Sequence, residues 1–155
     1  MNANWPRWIF ASICKHFDDN RGSLPMFVEG QYRDTQPAED FFELRMDGPK
    51  ITEVSNNYYK LAVQINALVQ SRMNDTNTHR IHVDVGIVAK IFTGINLYKY
   101  GTGDDDTQEH FGCLRLLQST QTRDGTEINH FGQIDPKVRL MQATVEGHFS
   151  CGLSD

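Results

Sequence analysis

The sequence predicts an α+β fold, a mixed or antiparallel sheet with two main helices packed on it and a long C-terminal strand. Three patterns carry that expectation. Apolar residues recur at three- and four-residue steps in two places, Ile9, Ile13, His16 and Phe17 early in the chain and Ile81, Val85, Val88 and Phe92 beyond its middle, which is the stripe of an amphipathic helix. Elsewhere apolar residues alternate with polar ones, the period that sends successive side chains to opposite faces of a strand. Residues 137–153 keep the alternation longest, with Met141, Ala143, Val145, Phe149 and Cys151 on one parity and Leu140, Gln142, Thr144, Glu146, His148 and Ser150 on the other. Strands usually run to about ten residues at most. A longer one carries more backbone donors and acceptors than a small sheet needs, and a neighbouring subunit is one way to satisfy the surplus.

Taken in order, Asn4 is placed to cap a first helix over residues 5–19, with Trp5 and Pro6 opening its first turn and Gly22 supplying the exit. Residues 26–31 form a short strand candidate. Residues 41–46 set Phe42, Leu44 and Met46 against Phe41, Glu43 and Arg45, and the run Asp47, Gly48, Pro49 reads as the turn that ends this strand. Residues 51–69 fit both periods. The aromatic and β-branched residues gathered between Tyr58 and Ile65 favour strand.

After a polar break at 73–78, Asn77 or Thr78 is expected to cap a second helix that ends near Gly94, with Gly86 as its one weak position. Strands are expected at 95–100 and 110–118, separated by an acidic loop at 101–108. Asp124 and Gly125 then supply a hairpin turn into the long final segment.

A chain of 155 residues is the size of one domain, 1–155, able to bury a core without disulfide or metal staples. At 39% hydrophobic and 23% charged it has a globular composition, and a mean hydropathy of −0.51 leaves it a generous polar surface. Fifteen Lys and Arg against twenty Asp and Glu give a net charge of −5, with the cations scattered, so sequence-specific nucleic-acid binding is not expected. A mildly negative protein can still line a passage through which DNA slides. Cys14, Cys113 and Cys151 are too few and too far apart for a disulfide framework or a thiolate metal site, which suits the reducing cytoplasm. The first residues are polar and charged where a signal peptide needs an apolar run, and no stretch is long and apolar enough to span a membrane.

Each candidate for chemistry has a plainer competitor. Asp104, Asp105 and Asp106, with Glu109 and His110 behind them, could hold a divalent cation and activate water in a hydrolase or nuclease, but the spacing is not that of an EF-hand and such runs are more often an exposed acidic turn; the same cluster could instead face a lumen. His79 and His82 share a helix face but make only two ligands where catalytic zinc takes three. Glu127, His130 and His148 could meet if the last two strands pair, yet no nucleophile motif accompanies them. Gly101 and Gly103 lack the third glycine and following helix of a phosphate loop, and read as a turn. Trp5 and Trp8, like Tyr58 and Tyr59, are candidate partner anchors whose burial under the sheet is an equal alternative. Glu146 and His148, on the polar parity of the last strand, complete the candidate interface.

Four stretches, WPRWIF at 5–10, FFELRMDGP at 41–49, YKYGTGDDD at 98–106 and QIDPKVRLMQATVEGHF at 133–149, resemble small neck proteins of tailed bacteriophages, of the tail-terminator or head-to-tail connector type. The order of elements is similar over most of the chain. The resemblance implies a virion structural protein, assembled in the host cytoplasm, that forms a homo-oligomeric ring, commonly a hexamer. The ring would cap the tail tube and join it to the head-side connector or a portal-associated protein, with DNA passing through its channel. It implies no enzymatic activity, no cofactor, no metal and no membrane partner. The competing expectations are the metal-dependent hydrolase using residues 104–110 and an adaptor that binds one partner without forming a ring.

Overall fold

The long alternating segments all enter one sheet and turn their apolar parity to the same side. The structure, a computed structural model, describes residues 1–30, 40–74, 79–101, 108–117, 126–135 and 139–154. Its elements are α1 (Trp5–Asn20), β1 (Met26–Val28), β2 (Phe41–Ser55), β3 (Tyr58–Arg72), α2 (Arg80–Ile91), β4 (Ile95–Lys99), β5 (Glu109–Leu116), β6 (Glu127–Asp135) and β7 (Leu140–Ser154). The strands run β1-β2-β3-β7-β5-β4, and β6 also pairs with β7. Only the β1–β2 pair is parallel, so the sheet is mixed, as expected.

The sheet is built on β3 and β7, each 15 residues long and paired from Tyr58 opposite Ser154 to Arg72 opposite Leu140. At about 3.4 Å per residue this is a ribbon roughly 50 Å long. Leu61, Val63, Ile65, Ala67 and Val69 of β3, and Ala143, Val145, Phe149 and Leu153 of β7, are buried on one face. Both helices lie on that face. From α1 come Trp5, Ile9, Ile13 and Phe17, and from α2 Ile81, Val85, Val88 and Ile91, which with Phe92 join the strand residues in one core cluster. Each large apolar side chain withdrawn from water contributes about 1.5–3 kcal/mol. Phe17 ties the layers together, its ring 5.3 Å from Phe92 beyond α2 and 6.3 Å from Phe42 of β2.

Both helices lie where their stripes predict, but neither is capped by its own side chain. Asn4 has helical backbone angles and makes no side-chain cap, and its N–H instead donates to Oδ1 of Asn2 at 2.9 Å. The residue at the start of α2 is His79, also without a side-chain cap, while Asn77 and Thr78 lie outside the described residues. Gly22 does take the left-handed exit, at φ +64°. The end of β3 is locked to α2 through a polar cluster: Ser71 donates to buried Asp84 at 2.6 Å, and Arg80 pairs with Asp40 at 2.8 Å.

Three expectations are corrected. Asp47, Gly48 and Pro49 do not end β2, because Gly48 and Pro49 bulge out opposite the single residue Val63 and the strand continues to Ser55. The bulge draws on the same residue chemistry as a turn, since Gly48 sits at φ +111°, which few other residues tolerate. The true reversal is at Asn56 and Asn57, inside the segment 51–69 read as continuous, with Asn57 at φ +60°; asparagine tolerates that conformation better than most residues.

The third correction concerns β7. Its backbone is not left in surplus for a neighbour, because β3 covers one edge along its whole length, and β6 and then β5 cover parts of the other. A strand of equal length inside the same chain absorbs the extra donors and acceptors.

Candidate interaction face

Strand parity divides the sheet into a dry face under the helices and a reverse face carrying the other set of side chains. From β3 the reverse face receives Tyr58, Lys60, Gln64, Asn66 and Gln70, and from β7 Gln142, Thr144, Glu146, His148 and Ser150. Neighbouring amides bond across it, Gln142 donating to Gln70 and Gln64 to Asn66, both at 3.2 Å. Among the described residues no helix packs here. Polar but mostly uncharged side chains, half-shielded by one another, give a surface that solvates readily and carries little field.

The candidate interface residues part company across this sheet. Trp5 is only 3% exposed and meets the edge of Tyr59, itself 8% exposed, with ring centroids 5.2 Å apart, so these two are core. Trp8 is half-buried; its indole N–H donates to the Tyr100 carbonyl at 2.9 Å and its ring packs near Phe111. Burial wins for this group because the first turns of α1 lie against Tyr59 of β3, Tyr100 just past β4 and Phe111 of β5. Tyr58, Glu146 and His148 share the reverse face instead, His148 directly opposite Gln64 and Glu146 opposite Asn66.

The histidines do not meet as expected. Although β6 and β7 pair, His130 lies on the helix side, its ring 5.1 Å from that of His82, whereas His148 has the opposite parity and Glu127 pairs with Glu146. His79 is 6.4 Å from His82. Among the described residues no three His, Cys, Asp or Glu side chains are arranged to hold a metal ion. Glu109 is taken by Lys99 at 2.7 Å, and His110 stacks edge-on against Tyr98 at 5.7 Å. Asp104, Asp105 and Asp106 lie outside the described residues, as do Thr102 and Gly103.

At the end of the reverse face where the β2–β3 hairpin, β5 and β7 come together, the surface sinks into an open groove of about 710 Å³. Its walls include Val54, Tyr58, Lys60, Arg115 and Leu117. Alternation on β7 could have located half of it, since Gly152 is on the polar parity and has no side chain; a Cβ there would collide with the Tyr58 ring. Nothing local announces that β5 arrives beside it.

Two thiols are shielded from water and have their pKa raised. Burial pushes Cys14 up to about 11, and burial followed by nearby Cys113 pushes Cys151 up to about 11, so neither is a ready nucleophile. No described helix is long and apolar enough to cross a membrane. No protein family's sequence profile matches the chain, and no curated protein matches it either.

Proposed function

We propose that this protein is a non-enzymatic structural subunit that associates with copies of itself into a ring, commonly a hexamer, at the neck of a tailed phage particle. In that role it caps the tail tube and joins it to the head-side connector, with DNA passing through the channel. The observation that supports the reading best is that one subunit carries two different unsatisfied surfaces. Beyond Leu44 no described strand pairs with the outer side of β2, an open edge running to Ser55. The groove at the β5–β7 junction is the second surface. A head-to-tail contact requires two such unlike faces, and it closes into a ring when the rotation between subunits divides a full turn.

Other features agree with the role. The bulge at Gly48 and Pro49, and the charges of Lys50 and Glu53, blunt the β2 edge against indiscriminate pairing, so only a matched partner can use it. Between Lys60 at one end and Arg72 at the other, the reverse face of β3 and β7 offers mainly amides and hydroxyls in place of a cationic stripe, a lining that DNA can slide past without sticking. The resemblance of four stretches to phage neck proteins points the same way.

Two measurements test this reading. Sedimentation or native mass spectrometry of the purified protein should give a closed oligomer, and reconstruction of particles should place a ring of this fold between head and tail. A protein that is monomeric in solution and missing from particles would defeat the proposal. The particle result weighs more, because some rings close only on a tail tip.

A further inference from the structure

We infer that His82 of α2 and His130 of β6, with His79 at the start of the same helix, form a site for a divalent transition-metal ion of the zinc class, which braces β6 against the helix; the inference is independent of the ring reading above. The pairing of β6 with β7 puts His130 on the helix side of the sheet, where its ring centre lies 5.1 Å from that of His82. That spacing suits a shared ion. With zinc about 2.0–2.1 Å from each imidazole nitrogen and the ring centre about 1.1 Å beyond it, two imidazoles at the tetrahedral angle stand about 5 Å apart, centre to centre.

The rings are also free to coordinate. His16 uses its Nε2 on the Ile91 carbonyl at 2.9 Å, whereas the rings of His79, His82 and His130 make no hydrogen bond or ion pair among the described residues. All three residues are exposed, so each ring can turn without disturbing the core. His79 precedes His82 by three residues, which places both on one helix face, and its ring centre stands 6.4 Å away, 1.3 Å more than the 5.1 Å between His82 and His130. In the ring positions seen the three do not converge on one point. Rotation of the exposed His79 ring closes the difference and supplies a third nitrogen, and water completes the shell.

Nitrogen ligands select the ion. Imidazole suits zinc, nickel and copper, while magnesium and calcium take oxygen ligands, and no described carboxylate makes a third member of this pair's cluster. The ion's place gives it something to hold. Among the described residues β7 is the only strand that pairs with β6, and that ladder is irregular between His130 and Gly132 and again between Gln133 and Asp135. A strand held on one side by a broken ladder opens at low free-energy cost. An ion bound jointly from α2 and β6 prefers the closed form, and so stabilises it by linkage.

Melting of the purified protein, stripped with EDTA and then titrated with zinc, tests the site. Zinc at a hundred times its dissociation constant should raise the melting temperature by about 5–11 °C, and hydrogen exchange of the β6 amides should slow. His82→Ala and His130→Ala should each melt with wild type in EDTA, which shows that they fold, and should lose the zinc-dependent rise. His79→Ala should weaken zinc binding about tenfold in calorimetry, and magnesium at the same concentration should leave the melting unchanged. No rise with zinc, a rise over its own EDTA value that His82→Ala or His130→Ala keeps, or one that magnesium reproduces would overturn the inference. Zinc binding with no change in β6 exchange would overturn it too, since that marks an adventitious ion on a single surface histidine. Wild-type affinity in His79→Ala would strike that residue from the site. None of these outcomes bears on the ring reading, which stands or falls on assembly.

Discussion

Replacing Gly147 with alanine should destabilise the fold, whereas the same change at Gly152, five residues along the same strand, should not. A Cβ at Gly147 would lie 2.7 Å from Cδ1 of Phe92 and 3.0 Å from both Leu116 and Phe149. Phe92 and Phe149 are buried, so the rings cannot swing into solvent, and relief must come from shifting α2 off the sheet. Overpacking of this kind costs about 1–3 kcal/mol. Alanine returns about 0.4–1 kcal/mol by restricting the unfolded chain. The net is a loss of up to about 2.6 kcal/mol, centred near about 1.3 kcal/mol, and at about 2–4 °C per kcal/mol for a chain of this size the melting temperature should drop by about 3–5 °C at the centre of that range.

At Gly152 the obstacle is the Tyr58 ring, a side chain that can rotate away into water. Gly152→Ala should therefore melt within about 0.5 kcal/mol of wild type, the usual range for surface changes. If subunits assemble through the groove, as proposed above, it should nonetheless weaken that association, because the aromatic wall of the groove has moved. Thermal denaturation followed by circular dichroism, with sedimentation at fixed concentration, reads both outcomes. A Gly147→Ala protein as stable as wild type would refute the packing argument, and a Gly152→Ala protein that associates normally would separate Tyr58 from the contact.

The Ser71–Asp84 pair makes a pH-dependent case. Burial, the leading cause, raises the Asp84 carboxyl above its ordinary 3.8, opposed by the Ser71 hydrogen bond and Arg80 and reinforced by Asp40. The folded state thus holds this proton more tightly than the unfolded chain, so the stability that Asp84 contributes is fully present below 3.8 and is lost as pH rises through the folded value. Urea titrations across the acid range should show wild type losing stability relative to Asp84→Asn as pH rises; a difference that is flat or of opposite slope refutes the assignment. Ser71→Ala should cost about 1–3 kcal/mol by leaving the buried carboxylate short of a donor. For the cysteines, a pKa of about 11 leaves about one thiolate in a thousand at pH 8, so Cys14 and Cys151 should alkylate far more slowly in the native than in the unfolded protein. Peptide mapping after timed iodoacetamide treatment checks this, and equal rates would contradict it.

Much of the fold was legible locally. The stripes of α1 and α2 named the helical core residues, and the parity of β7 named its dry side, because a side chain's direction depends only on the period of its own segment. The candidate interaction face was half legible for the same reason. Parity put Glu146 and His148 on the polar side of β7 and, continued to its end, would have put Gly152 there too.

What lies across from a strand is a different kind of fact. Whether β7 sat at an edge or in the middle depended on β3 having the same length, and whether Gly48 and Pro49 closed a turn or bulged depended on Val63 standing opposite them. His130 and His148 were separated, and Trp5 and Tyr59 brought together, by pairings between residues far apart in the chain. Which side of each element is apolar is written in the order of its own residues. Which elements became neighbours, and hence that Val54, Tyr58, Lys60, Arg115 and Leu117 share one groove, was set by pairing across the fold, because strand pairing is chosen by the fit of whole segments and not by any one of them.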